Sequence, residues 1–447
     1  MTPQMHLCAF IMATGHHVAS WRSADVPLEN GTNFKYWANL AQIAEAGKLD
    51  AVFLYDGAAI SNLPIEPMSR GDRATFFDPM TLLSALAVVT DKIGLVATSS
   101  TTYDQPYYVA RRYLSLDHLS GGRAAWNMVT GVNVREALNF GAAPVAHADR
   151  YARAREFAGV VRGLWDSWAD DAFIMDKESG RFFDPSKVQA LGHKGDHFTC
   201  AGPMCVPRSP QGQPVMVQAG GSEPGLELAA ETADMVYTVQ SDFESGRAFY
   251  ADLKGRMAKF GREPDELKIM PGVYTVIGES EQQAEDLYGE LRELVDDPTA
   301  MAMLAQCLGG ADLSALPPDG PVPTGLTTNA GTTHLKTMLK IAQDRNLSLG
   351  ALARDVAAGG YGHWAVRGTP VQIADQLEER FFGKAADGFN LMPATLPGGL
   401  QAFINLVLPE LQRRGLFRSE YTGSTLREHL GLRRPERRVA HPPRAVA

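Results

Sequence analysis

Polar side chains follow the short apolar runs of this sequence, at the points where strands of a sheet would end. Hydroxyls, amides, one carboxylate and two histidines stand there, in the segments Ala13–His17, Asp56–Gly57, Thr98–Tyr103, Asn127–Gly131 and Gln218–Ser222. In α/β barrels the carboxyl ends of the strands form the mouth in which ligands bind. A set with so few charges suits a neutral heteroaromatic ring with carbonyl and N–H edges rather than a metal ion.

Two pairs of histidines have to be weighed as metal ligands. His16 and His17 are adjacent, so on an extended segment their side chains point apart, and no H-x-H or H-E-x-x-H pattern accompanies them. His193 and His197 have the spacing of ligands on a helix, but they lie in a loop rich in Gly, Lys and Asp. We therefore expect structural or surface roles for His193 and His197, and no metal site at either pair.

The turn Gly220-Gly221-Ser222 leads directly into a helical pattern at Pro224–Glu231. Unpaired backbone N–H groups at a helix start, together with a serine hydroxyl, can bind a phosphate. Serine before a helix is also an ordinary N-cap, and the residues alone favour that interpretation. No Lys follows the glycines as in a P-loop, and no G-x-G-x-x-G joins a strand to a helix, so nucleotide-binding motifs are missing.

The apolar runs alternate with amphipathic helical patterns along most of the chain. Eight runs read as strands: Leu7–Met12, Ala51–Tyr55, Ile93–Ala97, Arg123–Asn127, Val215–Gln218, Met235–Tyr237, Ile269–Val276 and Phe389–Met392. The main helices are expected near Phe34–Gly47, Asp78–Thr90, Gln105–His118, Arg150–Trp168, Pro224–Glu231, Glu244–Lys259 and Pro370–Phe381. Eight strands, each followed by a helix, predict an α/β fold of the (β/α)₈ TIM-barrel type, where a doubly wound sheet would show five to seven.

Two segments, about 170–214 and 296–367, interrupt this alternation. We expect the first to be an irregular excursion with a small hairpin, and the second to contain two helices. Long insertions in barrels are usually lids or oligomer contacts, and we expect a homo-oligomer, either a dimer or a tetramer. Residues 1–432 would form one barrel domain, followed by a basic, proline-rich tail at 433–447 that we expect to be solvated.

Composition narrows the functional class. The chain has 447 residues, of which 45% are apolar and 21% charged, as in a soluble globular enzyme. Its 51 acidic residues outnumber 42 basic ones, which disfavours nucleic acid as a partner. No membrane-spanning run or signal peptide is visible, and the four cysteines have neither zinc-finger nor redox spacing, so we expect a cytoplasmic protein with reduced thiols.

Several motifs, in order along the chain, carry a resemblance to a known family. They are Asp50–Asp56, Thr101–Tyr107, Leu116–Thr130, Asp149–Tyr151, Asp184–Val188, Val217–Ser222, Asp387–Leu391 and Val407–Leu416. The sequence resembles the bacterial-luciferase-like flavin monooxygenases. The similar group contains nitrilotriacetate, dibenzothiophene-sulfone and long-chain alkane monooxygenases and pristinamycin synthase. The segments W-N-x-V-T and P-E-L-Q-x-R-G-L are the most specific to this group.

The resemblance implies a luciferase-like barrel with reduced FMN (FMNH₂) at its mouth. By motif match, the expected cofactor-binding residues are Asp56 near the ring system, Thr102, Asn127 beneath the ring, His147 and Tyr151 on the ribityl and phosphate side, and Gly221 and Ser222 on the phosphate. The Gly-Gly-Ser turn then becomes a phosphate site rather than only a cap. Family members often carry Ser-His where this chain has Gly131 and Val132, which leaves His16 as the candidate catalytic group near the flavin edge. A histidine that is only hydrogen-bonded to the barrel rim is the alternative.

The implied reaction is insertion of one oxygen atom of O₂ into a small organic substrate through a flavin hydroperoxide. Because a nicotinamide fingerprint is missing, an NAD(P)H:flavin reductase is expected as the partner that supplies reduced FMN. Two alternatives stay open at this point. One is a deazaflavin- or flavin-dependent hydride-transfer enzyme of the same superfamily, and the other is a non-catalytic flavin-binding protein.

Overall fold

Eight parallel strands close into a barrel. A computed structural model of the chain describes residues 3–28, 31–61, 63–131, 133–143, 147–323, 325–326 and 332–438, without the side chains of 134, 147, 148 and 332–334. The strands are β1 (His6–Phe10), β2 (Ala51–Leu54), β3 (Gly94–Ser100), β4 (Ala124–Val129), β5 (His193–Lys194), β6 (Thr199–Cys200), β7 (Val215–Ala219), β8 (Met235–Thr238), β9 (Lys268–Ile277), β10 (Trp364–Gly368) and β11 (Gly388–Pro393).

The barrel runs in the order β1-β2-β3-β4-β7-β8-β9-β11, and β11 pairs with β1 to close it. All of these pairings are parallel, as the predicted (β/α)₈ TIM barrel requires, so the predicted fold class is confirmed. The first half of the long strand β9 pairs with β8, and its second half pairs with β10. This ninth strand of the sheet, β10, was not predicted: the sequence analysis assigns Trp364–Arg367 to the end of the second insertion and gives Gly368 no element.

The helices follow the strands and pack around the barrel. They are α1 (Phe34–Ala46), α2 (Ile65–Met68), α3 (Pro79–Leu86), α4 (Pro106–Ser120), α5 (Val134–Asn139), α6 (His147–Trp165), α7 (Glu223–Thr232), α8 (Phe243–Arg256), α9 (Glu281–Glu293), α10 (Asp297–Cys307), α11 (Thr332–Asp344), α12 (Leu349–Ala358), α13 (Pro370–Phe382), α14 (Gly398–Ala402), α15 (Leu408–Arg413) and α16 (Leu426–His429). A π-helical turn, Phe403–Val407, joins α14 to α15. Short 3₁₀ turns lie at Ser20–Arg22, Pro185–Lys187, Met257–Phe260 and Pro264–Glu266.

Local sequence explains where several of these elements begin and end. The side chain of Asp78 accepts a hydrogen bond from the backbone N–H of Thr81, with Pro79 at the first helical position of α3. The α4 helix ends at Gly121, whose φ of 71° is left-handed and free of strain only for glycine. The barrel strands are buried along nearly their whole length, which explains their continuous apolar runs.

The second predicted insertion forms a small core of its own beside the barrel mouth. Helices α10, α11 and α12 bury Met303, Leu304, Met338 and Leu352 against each other and against Met68 of α2. We call these three helices the lid. The first insertion contains the small antiparallel hairpin that was predicted, formed by β5 and β6.

The described start of the tail is bonded to the body of the protein. The guanidinium of Arg434 pairs with the carboxylate of Asp170, and Arg437 Nε donates to the carbonyl of the buried Asp166 at 3.0 Å. These contacts attach the start of the tail to the body of the protein, while Arg433, Arg434, Glu436 and Arg438 are exposed to solvent, as expected. Residues 439–447 lie outside the described part of the chain.

Candidate active site

A cavity of about 1320 Å³ opens at the carboxyl ends of the barrel strands. Its floor consists of residues at or just beyond the strand ends, among them Phe10, Leu54, Tyr237 and Met392. Helix α10 of the lid and the loop that follows it form the opposite wall, which is largely apolar. The cavity therefore lies where barrel enzymes bind their ligands, and it is large enough for a drug-sized molecule.

Tyr151 and Ser222 meet at the start of α7. Ser222 occupies the N-cap position of α7, but its side chain makes no capping hydrogen bond. Its hydroxyl instead donates to the Tyr151 hydroxyl oxygen at 3.0 Å. A Cβ at Gly225 would lie 3.1 Å from both oxygens, so glycine keeps this corner open. The first turn of α7 thus carries two hydroxyls beside its own N–H groups, an arrangement suited to an anion.

Gly221 belongs to the turn that forms this corner. It follows Gly220, whose φ of 127° favours glycine, and together they connect the end of β7 to α7. Gln218, at the end of β7, donates from Nε2 to the carbonyl of Gly225 at 3.0 Å and so ties the turn to the helix. The Gln218 Oε1 atom is buried and has no hydrogen-bond partner within the described residues.

Asn127 lies deeper, in the barrel itself. Its Nδ2 donates to Thr98 Oγ1 at 2.9 Å, and that hydroxyl donates to the carbonyl of Leu54 at 2.8 Å. The Asn127 Oδ1 atom is buried without a partner in the part of the chain that the structure describes. Such an acceptor costs free energy unless a ligand donor reaches it. Thr102 follows the end of β3, and its hydroxyl donates to the carbonyl of Thr130, just beyond β4, at 2.6 Å.

Asp56 follows β2 and belongs to a group of carboxyl groups at the barrel rim. Burial, followed by the charge of Asp78, raises the pKa of Asp56 to about 7. Glu136 adds to this effect from α5, where its Oε1 accepts the backbone N–H of Ala58 at 3.1 Å. Asp56 is consequently part protonated near neutral pH and can donate as well as accept a hydrogen bond.

His16 lines the cavity and is 4% exposed. Its Nε2 lies 2.8 Å from the carbonyl oxygen of Phe10, so Nε2 carries the proton and Nδ1 keeps its lone pair. Burial, followed by the charge of Arg73, lowers the pKa of His16 to about 3. The side chain is therefore neutral at physiological pH. Its hydrogen bond to Phe10 is the one expected if His16 is only hydrogen-bonded to the barrel rim and has no catalytic role. Its position on the cavity is compatible with both roles.

The structure brings some of the predicted site residues together and keeps others apart. Tyr151 and Ser222 are in contact, but of the predicted residues only His16 is a wall residue of the cavity itself. Arg150 is a buried residue that lines the cavity, and it is the neighbour of Tyr151 in the sequence of α6. Helix α6 begins at His147, but the side chain of His147 lies outside the described residues.

Tyr237 and His363 are cavity residues that the sequence analysis did not select. Tyr237 Oη lies 3.0 Å from His363 Nε2 and 3.7 Å from Met392 Sδ. A Cβ at Gly272 of β9 would lie 2.6 Å from His363 Nδ1, so glycine is required for the histidine to fit. Tyr237 could have been found by applying the strand-end rule to β8, whereas His363 precedes a strand and has no such signal.

Two further findings concern other kinds of site. Among the described residues, no cluster of three or more His, Cys, Asp or Glu side chains has the proximity needed to hold a metal ion. Within the same ranges, none of the helices combines the length and apolar character needed to cross a bilayer.

Comparison with known proteins decides the family. Residues 9–387 match the luciferase-like monooxygenase family. The chain belongs to that family. It is 48% identical over 440 residues to N-acetyl-S-(2-succino)cysteine monooxygenase of Bacillus subtilis (strain 168), with 98% of each chain covered. It is 45% identical to nitrilotriacetate monooxygenase component A of Aminobacter aminovorans, with 98% of this chain and 99% of the relative covered.

A solved structure agrees with the sequence relatives. Riboflavin lyase with modified FMN and its substrate riboflavin is 34% identical, with a TM-score of 0.87 and 96% of both chains covered. The predicted family and the flavin-dependent monooxygenase activity are thereby confirmed at the level of enzyme class. Luciferase-like monooxygenases of this kind use a reduced flavin.

Proposed function

We propose that this luciferase-like monooxygenase is the oxygenase component of a two-component system that uses reduced FMN. Reduced FMN and O₂ would supply the chemistry: one oxygen atom enters a small organic substrate, the other leaves as water, and FMN is released oxidised. The observation that carries the proposal is the Tyr151–Ser222 corner, where an N-cap serine leaves its helix uncapped and its hydroxyl bonds to a second hydroxyl at the start of α7.

The residues present fit FMN. The phosphate would bind at the start of α7, with hydrogen bonds from the Ser222 and Tyr151 hydroxyls and from the Gly221 N–H, and with Arg150 as the nearby buried cation. The buried and unpartnered Oδ1 of Asn127 would accept a hydrogen bond from the cofactor. Asp56 and Thr102 would bind from the rim, and His147 from the first turn of α6.

His16 is proposed as the polar group on the reacting side. Because the Nε2–H of His16 donates to the carbonyl oxygen of Phe10, only Nδ1 can interact with a ligand. Nδ1 would accept a proton or a hydrogen bond from the substrate or the cofactor. The apolar wall that the lid contributes would exclude water from the reaction. An NAD(P)H:flavin reductase would deliver the cofactor. The substrates named for the two relatives bear carboxylates, and this chain is proposed to act on a small organic compound as well.

Isotope labelling tests the reaction directly. The chain is supplied with FMN, a flavin reductase, a nicotinamide and ¹⁸O₂, together with nitrilotriacetate, N-acetyl-S-(2-succino)cysteine or dibenzothiophene sulfone. We expect one ¹⁸O atom per molecule of an oxygenated product, detected by mass spectrometry, and no product when the reductase is omitted and unreduced FMN is supplied.

Two outcomes would contradict this proposal. Label arriving from H₂¹⁸O instead of ¹⁸O₂ would exclude oxygen transfer. Substrate oxidation without O₂, driven by a deazaflavin, would support the hydride-transfer alternative.

A further inference from the structure

Arg73 is a cationic residue of the cavity, and its side chain is fixed from two sides. It lies on the loop between α2 and α3 and lines the cavity. One terminal nitrogen, Nη2, donates to the carbonyl oxygen of His16, and the guanidinium stacks over the ring of Tyr361 at 4.8 Å from the ring centroid. Stacking on one face leaves the in-plane N–H groups of a guanidinium available to a ligand.

The backbone beneath this stack is unusual. Gly360, Tyr361 and Gly362 have φ values of 76°, 62° and 80°, three consecutive left-handed residues. For a bulky residue such as tyrosine this conformation is an outlier that costs free energy and persists only when its surroundings impose it. The segment thus keeps the Tyr361 ring under Arg73 at a cost in stability.

The positive charge of Arg73 has no counterion in the described residues. No ion pair joins its guanidinium to a carboxylate of these residues, and its Nε is buried without a hydrogen-bond partner among them. Of the acidic cavity residues, Asp72 accepts hydrogen bonds from Thr14, and Asp312 is exposed and bonded to Ser314. A guanidinium facing an apolar cavity without a counterion is costly, and an anion bound there would remove that cost.

We propose that Arg73 is the specificity residue of this cavity and that it binds a carboxylate of the substrate. This inference rests on the proposed monooxygenase function and names its substrate class, a small organic carboxylate. The planar fork of an arginine matches a carboxylate, whereas the phosphate of FMN has its own proposed site at Tyr151 and Ser222. The apolar residues Met301 and Leu313 of the lid side would contact the carbon skeleton.

Calorimetric binding tests the inference without turnover. Nitrilotriacetate and N-acetyl-S-(2-succino)cysteine are each titrated into the FMN-loaded protein, alongside their methyl esters, which have the same skeleton without the charge. We expect at least one carboxylate to bind roughly 10- to 100-fold more tightly than its ester, the range for a hydrogen-bonded charge pair. Arg73→Gln should abolish the difference, and Arg73→Lys should retain part of it.

Arg247→Gln is the matched control, because it removes one exposed arginine of α8 away from the cavity and should leave the preference unchanged. Equal binding of acid and ester, binding of neither acid, or a preserved preference in Arg73→Gln would each overturn the inference. A loss of reduced-FMN affinity in Arg73→Gln as large as the loss of carboxylate affinity would also overturn it, by assigning Arg73 to the cofactor.

If labelled product forms only from uncharged substrates, the monooxygenase function stands and this inference fails. Carboxylate binding through Arg73 without ¹⁸O transfer would instead support the inference and leave the function contradicted.

Discussion

Ser222 is the residue at which capping and phosphate binding make opposite predictions. Its hydroxyl bonds to Tyr151 and not to the helix, so Ser222→Ala should leave thermal stability nearly unchanged and weaken FMN binding by roughly 1–2 kcal/mol. Ser222→Asp should weaken FMN far more, because it places a carboxylate against the phosphate dianion. FMN affinity and the melting temperature of both variants provide the measurement.

Ser280 is the matched control for this experiment. It caps α9, a different helix from the one at the cofactor corner, by accepting the N–H of Gln283 at 3.2 Å. Ser280→Ala should therefore cost about 1 kcal/mol of stability without affecting FMN. If Ser222→Asp binds FMN like the parent protein, the phosphate binds elsewhere and the proposed placement of the cofactor is wrong.

Asp56 carries a pH dependence whose direction follows from its pKa. Burial and the charge of Asp78 raise that pKa from 3.8 to about 7, so the folded state holds this proton where the unfolded chain has lost it. The contribution of Asp56 to stability is thus fully present below about pH 4 and is lost as the pH rises toward about 7. Between about pH 5.5 and pH 8, ionisation of Asp56 should lower the unfolding free energy of the parent protein by about 1–2 kcal/mol. Asp56→Asn mimics the protonated form, so the variant should lack this part of the decrease.

Urea denaturation of the parent and the Asp56→Asn variant at both pH values measures this difference. Other buried acids contribute equally to both proteins, so the comparison isolates Asp56. Parallel pH profiles for the two proteins would mean that Asp56 is ionised throughout, and its proposed role as a hydrogen-bond donor to the cofactor would be lost.

The sequence could predict where candidate residues lie when they stand at the ends of regular elements, and their roles in binding stay predictions. Ser222, Tyr151 and Asn127 lie in or beside regular elements, where strand ends and helix starts have fixed positions. Arg73 and Tyr361 could not be paired in this way, because they come from two irregular segments that meet only in the folded molecule. His363 depends on the left-handed run before it, which glycines permit but do not by themselves predict.

At the scale of elements, periodicity predicted all eight barrel strands within a few residues of their ends. The missed strand, β10, is short and lies at the edge of an insertion, and it pairs with the part of β9 that extends past β8. Its alternating buried and exposed residues indicate a strand, but five residues give a weak pattern beside the helices that precede it.

The lid offers a test of its proposed role in excluding water. Leu352 of α12 is fully buried in the lid core, so Leu352→Ala should destabilise the lid by roughly 2–5 kcal/mol while the barrel stays folded. We expect FMN still to bind, but hydrogen peroxide to replace part of the product because water reaches the reaction. The ratio of peroxide to product, measured with reduced FMN and O₂, gives the result.

Leu377→Ala in α13 is the control, because it removes an equally buried leucine from the barrel core instead of the lid. It should lower global stability and leave the peroxide ratio unchanged. If Leu352→Ala leaves the ratio of peroxide to product unchanged, oligomer contacts become the better explanation of the insertion.

At the scale of the whole molecule, a protein with a net charge of −9 must bind a cofactor that is itself an anion. Long-range repulsion between the two is screened at physiological salt, so local charges at the cavity decide the affinity. The arginines there are Arg73, proposed to bind substrate, and Arg150, whose pKa is lowered by burial and which lies beside the proposed phosphate site. The negative charges of the carboxyl groups around Asp56 oppose the positive charges of these arginines, except where burial keeps a carboxyl group protonated.

This balance predicts that the protein binds reduced FMN more tightly than oxidised FMN. At neutral pH the reduced ring carries one more negative charge than the oxidised ring, and a buried arginine attracts that charge more strongly in a poorly solvated cavity than in water. A two-component enzyme also needs this preference, because its cofactor arrives reduced and must leave oxidised. Anaerobic and aerobic titrations should differ by roughly tenfold or more, about 1.4 kcal/mol. Arg247→Gln should leave the ratio of the two affinities unchanged, whereas equal affinities in the parent protein would argue against delivery of FMN by a separate reductase.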